Sequence, residues 1–437
     1  MPAEPSGAAV DHRPAPTGSG PAVDGDDARV RPLWARSTPI ADDAAARVTG
    51  AGELCWLTQD RELAGWGVAV RIPVGTGPGR FIRAARTLAR HVAAMDVSGD
   101  AHAATRPVAF CSFTFDPRSA GSVMIVPRVV VRRLEGRAWL TVISDRPVTS
   151  RELTLPPATP APAPAGRVRY AGATAAEIGW IDAVDRAVRR IRAGEAEKVV
   201  LARDRVVYSH VPFDAATLLR HLRTSFPSCL VFHVAGLVGA SPELLVRRQG
   251  SRITSLVLAG TAPRGHDEVD DGRLGEALLR SAKDLAEHRP AVTSVRHVLD
   301  PLVTDLHVDD HPWLLRLANV QHLATRVSGT LQAPVHALEL AGRLHPTAAV
   351  GGTPRDVALT MISELETIDR GRYAGPVGWV DADGDGEPAI ALRCAELDGT
   401  RARLFAGAGI VADSLPESEL EETRLKLRAM QSAFERR

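Results

Sequence analysis

The chain has 437 residues, of which 45% are hydrophobic, so it can bury a large core; its net charge of +1 argues against a nucleic-acid or anionic-membrane surface. No apolar run approaches the ~20 residues that span a bilayer, and the N-terminus lacks a basic-then-apolar leader pattern. The cysteines (Cys55, Cys111, Cys229, Cys394) are far apart and form no CxxC pair, which argues against a zinc site or a disulfide framework and fits a reducing cytoplasm.

Residues 1–31 are rich in Ala, Pro, Gly and Asp and read as a disordered tail. Residues 32–166 read as globular but weakly patterned, and they end in an extended Pro-rich loop, 155–166. Residues 167–437 carry stronger signals. Ile178, Ile181, Val184, Val188 and Ile191 recur at helical spacing, which predicts a helix over 175–193 ended by Gly194. The β-branched run 198–207 predicts a strand, followed by a helix at 215–225 and strands at 229–237, 243–248 and 253–258. A long helix is predicted at 275–303, a strand at 326–331, and helices at 335–344 and 354–368. Strands at 377–381, 389–397 and 402–406 precede a last helix at 416–435. Strands in pairs and triples between single helices predict an α+β fold with a mostly antiparallel sheet.

Only Lys198, Lys283 and Lys426 are lysines among the 53 basic residues, and Asn319 is the single asparagine. That bias suggests a high-G+C genome in which arginine supplies most plain positive charge. Guanidinium cannot act as a base, whereas an amine can, so each surviving lysine is either a chance survivor or a functional candidate.

Asp284 and Glu287 are three residues apart on one predicted helix. Glu419 and Glu422 are three apart on another, with Lys426 four further on. Such spacings share a helix face. Two readings are open: solvated helix surface, or two carboxylate pairs converging on a hard cation such as Mg²⁺. Glycines in LAGTA (258–262), HPTAAVGG (345–352) and AGAGI (406–410) either turn the chain or let backbone N–H groups approach a ligand carboxylate. Arg393 lies in an otherwise apolar strand, where its charge needs either a structural acid or a substrate carboxylate. Asp381–Gly386 begins like an EF-hand loop, but Leu392 occupies the twelfth position, so a turn is predicted.

Nine ordered stretches resemble the chorismate-utilising enzymes, the isochorismate, salicylate, anthranilate and aminodeoxychorismate synthases. They are KVVLAR (198–203), SPELL (241–245), LAGTAPRG (258–265), SAKDLAEH (281–288), VQHLATRVSG (320–329), HPTAAVGG (345–352), RGRYAGPVGW (370–379), ALRCAEL (391–397) and AGAGIVADSLPESELEETRLK (406–426). The resemblance implies the anthranilate/aminodeoxychorismate synthase-like fold: one large α/β unit of two stacked, mostly antiparallel sheets with helices outside. The N-terminal part would belong to the same body. Ammonia-using members resemble one another in carrying Gln where this chain has Lys198, and lysine there resembles the water-using branch, which needs no glutaminase partner.

Gly260-Thr261-Ala262 and PTAAVGG resemble isochorismate synthases more than salicylate synthases, whose loop resembles GTR. The implied function is reversible, Mg²⁺-dependent conversion of chorismate to isochorismate. The product would feed menaquinone, catechol-siderophore or salicylate formation. Lys198, in its neutral form, would take a proton from water attacking C2, and Glu243 would protonate the leaving C4 hydroxyl. Glu287 and Glu422, with Asp284 and Glu419 directly or through water, would hold Mg²⁺. Gly260, Thr261, His322, Thr347, Tyr373, Arg393, Lys426 and the backbone of Gly407, Ala408 and Gly409 would bind chorismate, although His322 reads equally as a core histidine. The competing activities are salicylate synthase, an anthranilate synthase-like reaction and a silent chorismate-binding protein. Lys283 has no assigned role.

Overall fold

Two β-sheets carry the molecule. The computed structural model describes residues 30–435 apart from 101, 103, 104, 157–166 and 175, so nearly all of the expected tail and Pro-rich loop lie outside the described residues. The larger sheet runs, strand by neighbouring strand, through 169–171, 198–208, 401–410, 394–398, 237–241, 230–234, 54–57, 61–66, 129–134, 137–144, 33–40 and 95–99, with 352–353 paired to 198–208. Only the outermost pair, 33–40 with 95–99, is parallel among the described strands. The second layer consists of two five-stranded pieces. One is built on the long strands Arg252–Pro263 and Val320–Thr330, and the other on Pro376–Asp381 and Val108–Ser112. Arg248 bridges to Gly386 and Gly386 to Val380, which links the two pieces.

The main core lies between the layers. Val199, Leu201 and Phe405 from the larger sheet share one buried cluster with Ile253, Val257 and Val327 from the second. The N-terminal part is woven into both: 54–57 pairs with 230–234, and 108–112 pairs with 376–381. Among the described residues no helix is long and apolar enough to cross a membrane.

The helices Ala215–Ser225 and Pro416–Glu435 form as predicted. The first is capped by Asp214, whose side chain accepts from Thr217 N. Four elements differ from expectation. The 229–237 run is the start of a hairpin, Leu230–Val234 and Leu237–Ser241, because Ala235 and Gly236 both take positive φ (49° and 83°), as a two-residue hairpin turn requires. Only Arg247 and Arg248 of the 243–248 run are strand, as the start of Arg247–Gln249, so Glu243 sits in a loop. The long helix is two, Glu268–Arg280 and Ala282–Leu299, because Ser281 leaves the helical conformation to cap the second with its hydroxyl. The 389–397 strand is broken at Arg393, whose φ is +46°.

Candidate active site

The cavity opens between strands 198–208 and 401–410 of the larger sheet and 252–263 of the second. Three backbone devices aim side chains into it. Gly260 sits at a β-bulge with φ +78°, where the register of 252–263 against 320–330 slips between Ala259 and Thr261. Across the ladder, Thr261 then stands opposite His322. Arg393 and Ala374 are non-glycine residues held in the left-handed region, and both line the cavity. The AGAGI segment is not a turn: it completes the strand Arg401–Ile410. Because strand side chains alternate, Gly407 and Gly409 face the cavity. A Cβ on Gly409 would lie 2.1 Å from Glu287 Oε1 and 2.8 Å from Lys198 Cε, so only glycine leaves room for that pair.

Two expected residues are not among those that line the cavity. The Ala408 side chain points to the opposite side of its strand and packs in the core, which leaves only its backbone for the expected contact. Thr347 is not among the cavity-lining residues; its loop presents Ala349 and Val350 instead, and the Thr347 hydroxyl is buried without a hydrogen-bond partner.

Glu243, Gly260, Thr261, Glu287, His322, Tyr373, Arg393, Gly407, Gly409 and Lys426 all line the cavity. Glu243 is 4% exposed, and its carboxyl makes no hydrogen bond among the described residues. Burial pushes it up to about 8, against the pull of Lys198, Arg393 and Lys426, so it carries its proton at neutral pH. Arg393 is buried with no acidic partner within ion-pair distance among the described residues, which removes the structural ion-pair reading. Its Nη2 donates to His322 Nε2 at 3.0 Å, and its Nε has no partner. A guanidinium has only donors, so His322 Nε2 accepts and Nδ1 carries the proton, which it donates to Gly260 O at 3.2 Å. Burial and the Arg393 charge hold His322 well below its ordinary value, in keeping with a neutral ring. An uncompensated buried charge costs several kcal/mol (order ~3–5), a demand that an incoming carboxylate meets. Tyr373 stacks on Phe405 (5.1 Å, 6°), and its hydroxyl is free of internal hydrogen bonds among the described residues.

The three lysines take up three of the four acids. Lys198 is fully buried, with Nζ 3.2 Å from both Glu287 Oε1 and Glu287 O. Lys426 Nζ lies 2.5 Å from Glu422 Oε1 and 2.9 Å from Gly407 O. Lys283 Nζ lies 2.7 Å from Glu419 Oε1 and ties the 282–299 helix to the 416–435 helix. Asp284 sits beside the Gly260 bulge. The acids still repel one another. Burial raises Glu422, Lys426 opposes the rise, and Glu287 and Glu419 add to it. Burial likewise raises Asp284, with Glu287 adding to the rise. Burial works against Glu287 too, yet Lys198 and Lys426 hold it below the usual range. Solvated helix surface is thus the wrong reading for this set: Glu287, Glu419 and Lys198 are all buried. Among the described residues no three of these side chains stand close enough to share an ion, because each glutamate is drawn onto its lysine.

Sequence reasoning missed Arg370. Its guanidinium donates to Val200 O (2.6 Å) on the Lys198 strand, to Val350 O (2.9 Å) on the 345–352 loop, and to Glu366, which in turn accepts from Ala202 N at 2.7 Å. Its place in RGRYAGPVGW was the available signal.

The chain is similar to isochorismate synthase DhbC of Bacillus subtilis, 43% identical over 263 residues that make up 57% of this chain and 66% of the relative. It is also similar to isochorismate synthase MenF of the same species, 39% identical over 259 residues, 58% of this chain and 55% of the relative. The chain thus spans between about half and two thirds of these relatives. The crystal structure of a putative 2,3-dihydroxybenzoate-specific isochorismate synthase from Bacillus anthracis superposes with a TM-score of 0.76 at 30% identity, over 90% of this chain and 99% of that one. The chorismate binding enzyme profile runs from residue 45 to residue 435, through both sheets and every residue of the cavity, and the chain belongs to that family.

Proposed function

We propose that the chain is an isochorismate synthase that interconverts chorismate and isochorismate. One observation carries the reading: a buried carboxyl with no internal hydrogen bond among the described residues, Glu243, shares a cavity with the unneutralised guanidinium of Arg393 and with Glu287, whose carboxylate stands 3.2 Å from the fully buried Lys198. Arg393 and the Tyr373 hydroxyl receive one substrate carboxylate in a charge-assisted pair. Lys198 takes a proton from the water that bonds to C2, the ring double bonds shift, and the C4–O bond breaks as Glu243 passes its proton to the departing hydroxyl. One water enters and one leaves, so the reaction is reversible. Lys198 rather than an amide at this position supports water as the nucleophile.

The four acids offer only oxygen donors, and the three lysines offset their mutual repulsion only in part, which supports a hard divalent cation. Glu287 and Glu422, with Asp284 and Glu419 directly or through water, would hold Mg²⁺. Mg²⁺ would supply charge neutralisation for the ring carboxylate. Glu287 Oε1 stands 3.2 Å from Lys198 Nζ, so the base role requires the amine to leave this contact. The cysteines are all buried thiols outside any disulfide, which supports placement in the reducing cytoplasm.

Incubation with chorismate and Mg²⁺, with chromatographic separation of products, tests the reading: isochorismate is expected, without pyruvate release. EDTA should abolish turnover and added Mg²⁺ restore it. Turnover that persists in EDTA removes the metal site. Gly409→Ala should lose roughly 10²-fold in rate, the usual scale of a 1 Å misplacement. Its new methyl meets the ends of two side chains, so its melting temperature should stay within a few degrees of wild type. Unchanged turnover in that variant would show that the Glu287–Lys198 placement does not matter.

A further inference from the structure

A second cavity lies behind the first. Its volume is about 540 Å³, against about 60 Å³ for the narrow catalytic cavity. The 115–119 loop, the helix Arg355–Leu365 and the following 366–370 segment border it as a cleft open to solvent, at whose mouth Asp369 is exposed, and Arg370 lines both cavities. Phe115, Leu359, Ile362 and Ile368 give it an apolar lining.

All but one of its charges are matched. Arg118 grips Asp116 through Nε and Nη2, and Arg370 is paired with Glu366. Asp369 is the exception. Its Oδ1 accepts from Gly371 N at 2.8 Å and from the Ser119 hydroxyl at 3.4 Å, while Oδ2 has no hydrogen bond. No cation stands within ion-pair distance of its carboxylate among the described residues. Arg403 donates to the Asp369 backbone carbonyl (2.9 Å), but its charge is neutralised by Asp204 at 2.6 Å. An anionic ligand would find both cavity guanidiniums already bonded to carboxylates. A cationic one finds a free carboxylate oxygen beside an apolar lining.

We propose that this cavity binds a small primary amine with an aromatic or branched apolar body. The ammonium pairs with Asp369 Oδ2 and the body covers Phe115, Leu359 and Ile362. Such an occupant rests against the outer side of the Glu366–Arg370 pair, so it and a molecule in the catalytic cavity bind together.

The probe is 2-phenylethylamine, titrated calorimetrically into the full-length protein with and without saturating chorismate. It should bind saturably in both cases, and the neutral 2-phenylethanol about fivefold more weakly, the scale of one partly exposed ion pair. Asp369→Asn keeps the Oδ1 acceptor for the Gly371 turn and should bring amine and alcohol to the same affinity. Leu359→Trp fills the cavity and should abolish binding of both. The proposal is overturned if amine and alcohol bind wild type equally, if Asp369→Asn leaves the amine's advantage intact, or if chorismate displaces the amine. Binding is read directly, so the result does not depend on whether the chain turns chorismate over.

Discussion

Lys198→Met should lower chorismate turnover by at least about 10²-fold, the usual contribution of a positioned general base, while chorismate still binds. Among the described cavity residues Glu287 is engaged by Lys198, and three other titratable groups are taken up elsewhere. His322 is neutral, but its Nε2 accepts from Arg393 and its Nδ1 proton is given to Gly260 O. Glu243 already holds its proton. Lys426 is bonded to both Glu422 and Gly407 O. Methionine fills most of the lysine volume but leaves Glu287 without its closest cation, so a loss of stability must be separated from a loss of chemistry. Lys198→Arg does this. It keeps a charge beside Glu287 but cannot act as a base at neutral pH. If both variants bind chorismate by calorimetry and neither turns it over, Lys198 is the base. If either retains turnover within threefold of wild type, the proton goes elsewhere.

The sequence signals were strongest where one local rule decides the structure. Amphipathic spacing marked the 215–225 and 416–435 helices, and β-branching marked the 198–208 strand. Harder to read were features set by contact with distant segments. In the N-terminal part, Leu54–Leu57 and Val108–Ser112 are buried on both faces and so show no alternation, and their partners lie more than 170 residues away in Leu230–Val234 and more than 260 away in Pro376–Asp381. The Ser281 break was legible in principle, since Ser281 and Asp284 stand at cap spacing, but an unbroken apolar pattern masked it.

In the cavity, charged and acidic residue types pointed to their places, while backbone geometry did not. Nothing in ALRCAEL foretells that Arg393 takes a positive φ, and its carbonyl is held by Ala240 N, more than 150 residues away in the sequence. Glycine in AGAGI read either as a turn or as backbone open to a ligand, yet at Gly409 a steric cause was hidden: Glu287 and Lys198 occupy the space a side chain would need. The same strand geometry turns Ala408 away. Lysine rarity singled out Lys283 and gave no hint of its partner, because Glu419 lies 136 residues further along the chain.

Glu243→Gln should have opposite effects on activity and stability. Glutamine keeps the size of the side chain but cannot protonate a departing hydroxyl, so turnover should fall by roughly 10²-fold or more. In the wild type, turnover per bound substrate should itself decline as pH rises through about 8, where Glu243 loses its proton. Stability follows from the same shift. The folded value, about 8, lies above the ordinary 4.5 because burial penalises the charged form. Below pH 4.5 both folded and unfolded chains hold the proton, and the contribution is fully present. Between 4.5 and about 8 the unfolded chain ionises while the folded one does not, so stability from this group falls steadily, and above 8 no more is lost. Glutamine has no charge to bury, so Glu243→Gln should melt higher than wild type at pH 8, with the gap closing towards pH 5. Melting curves of both proteins across that range, beside their turnover, check the pair of effects. A variant that is inactive but no more stable at pH 8 would mean that Glu243 is already ionised in the folded chain, and the acid in the mechanism would have to be another group.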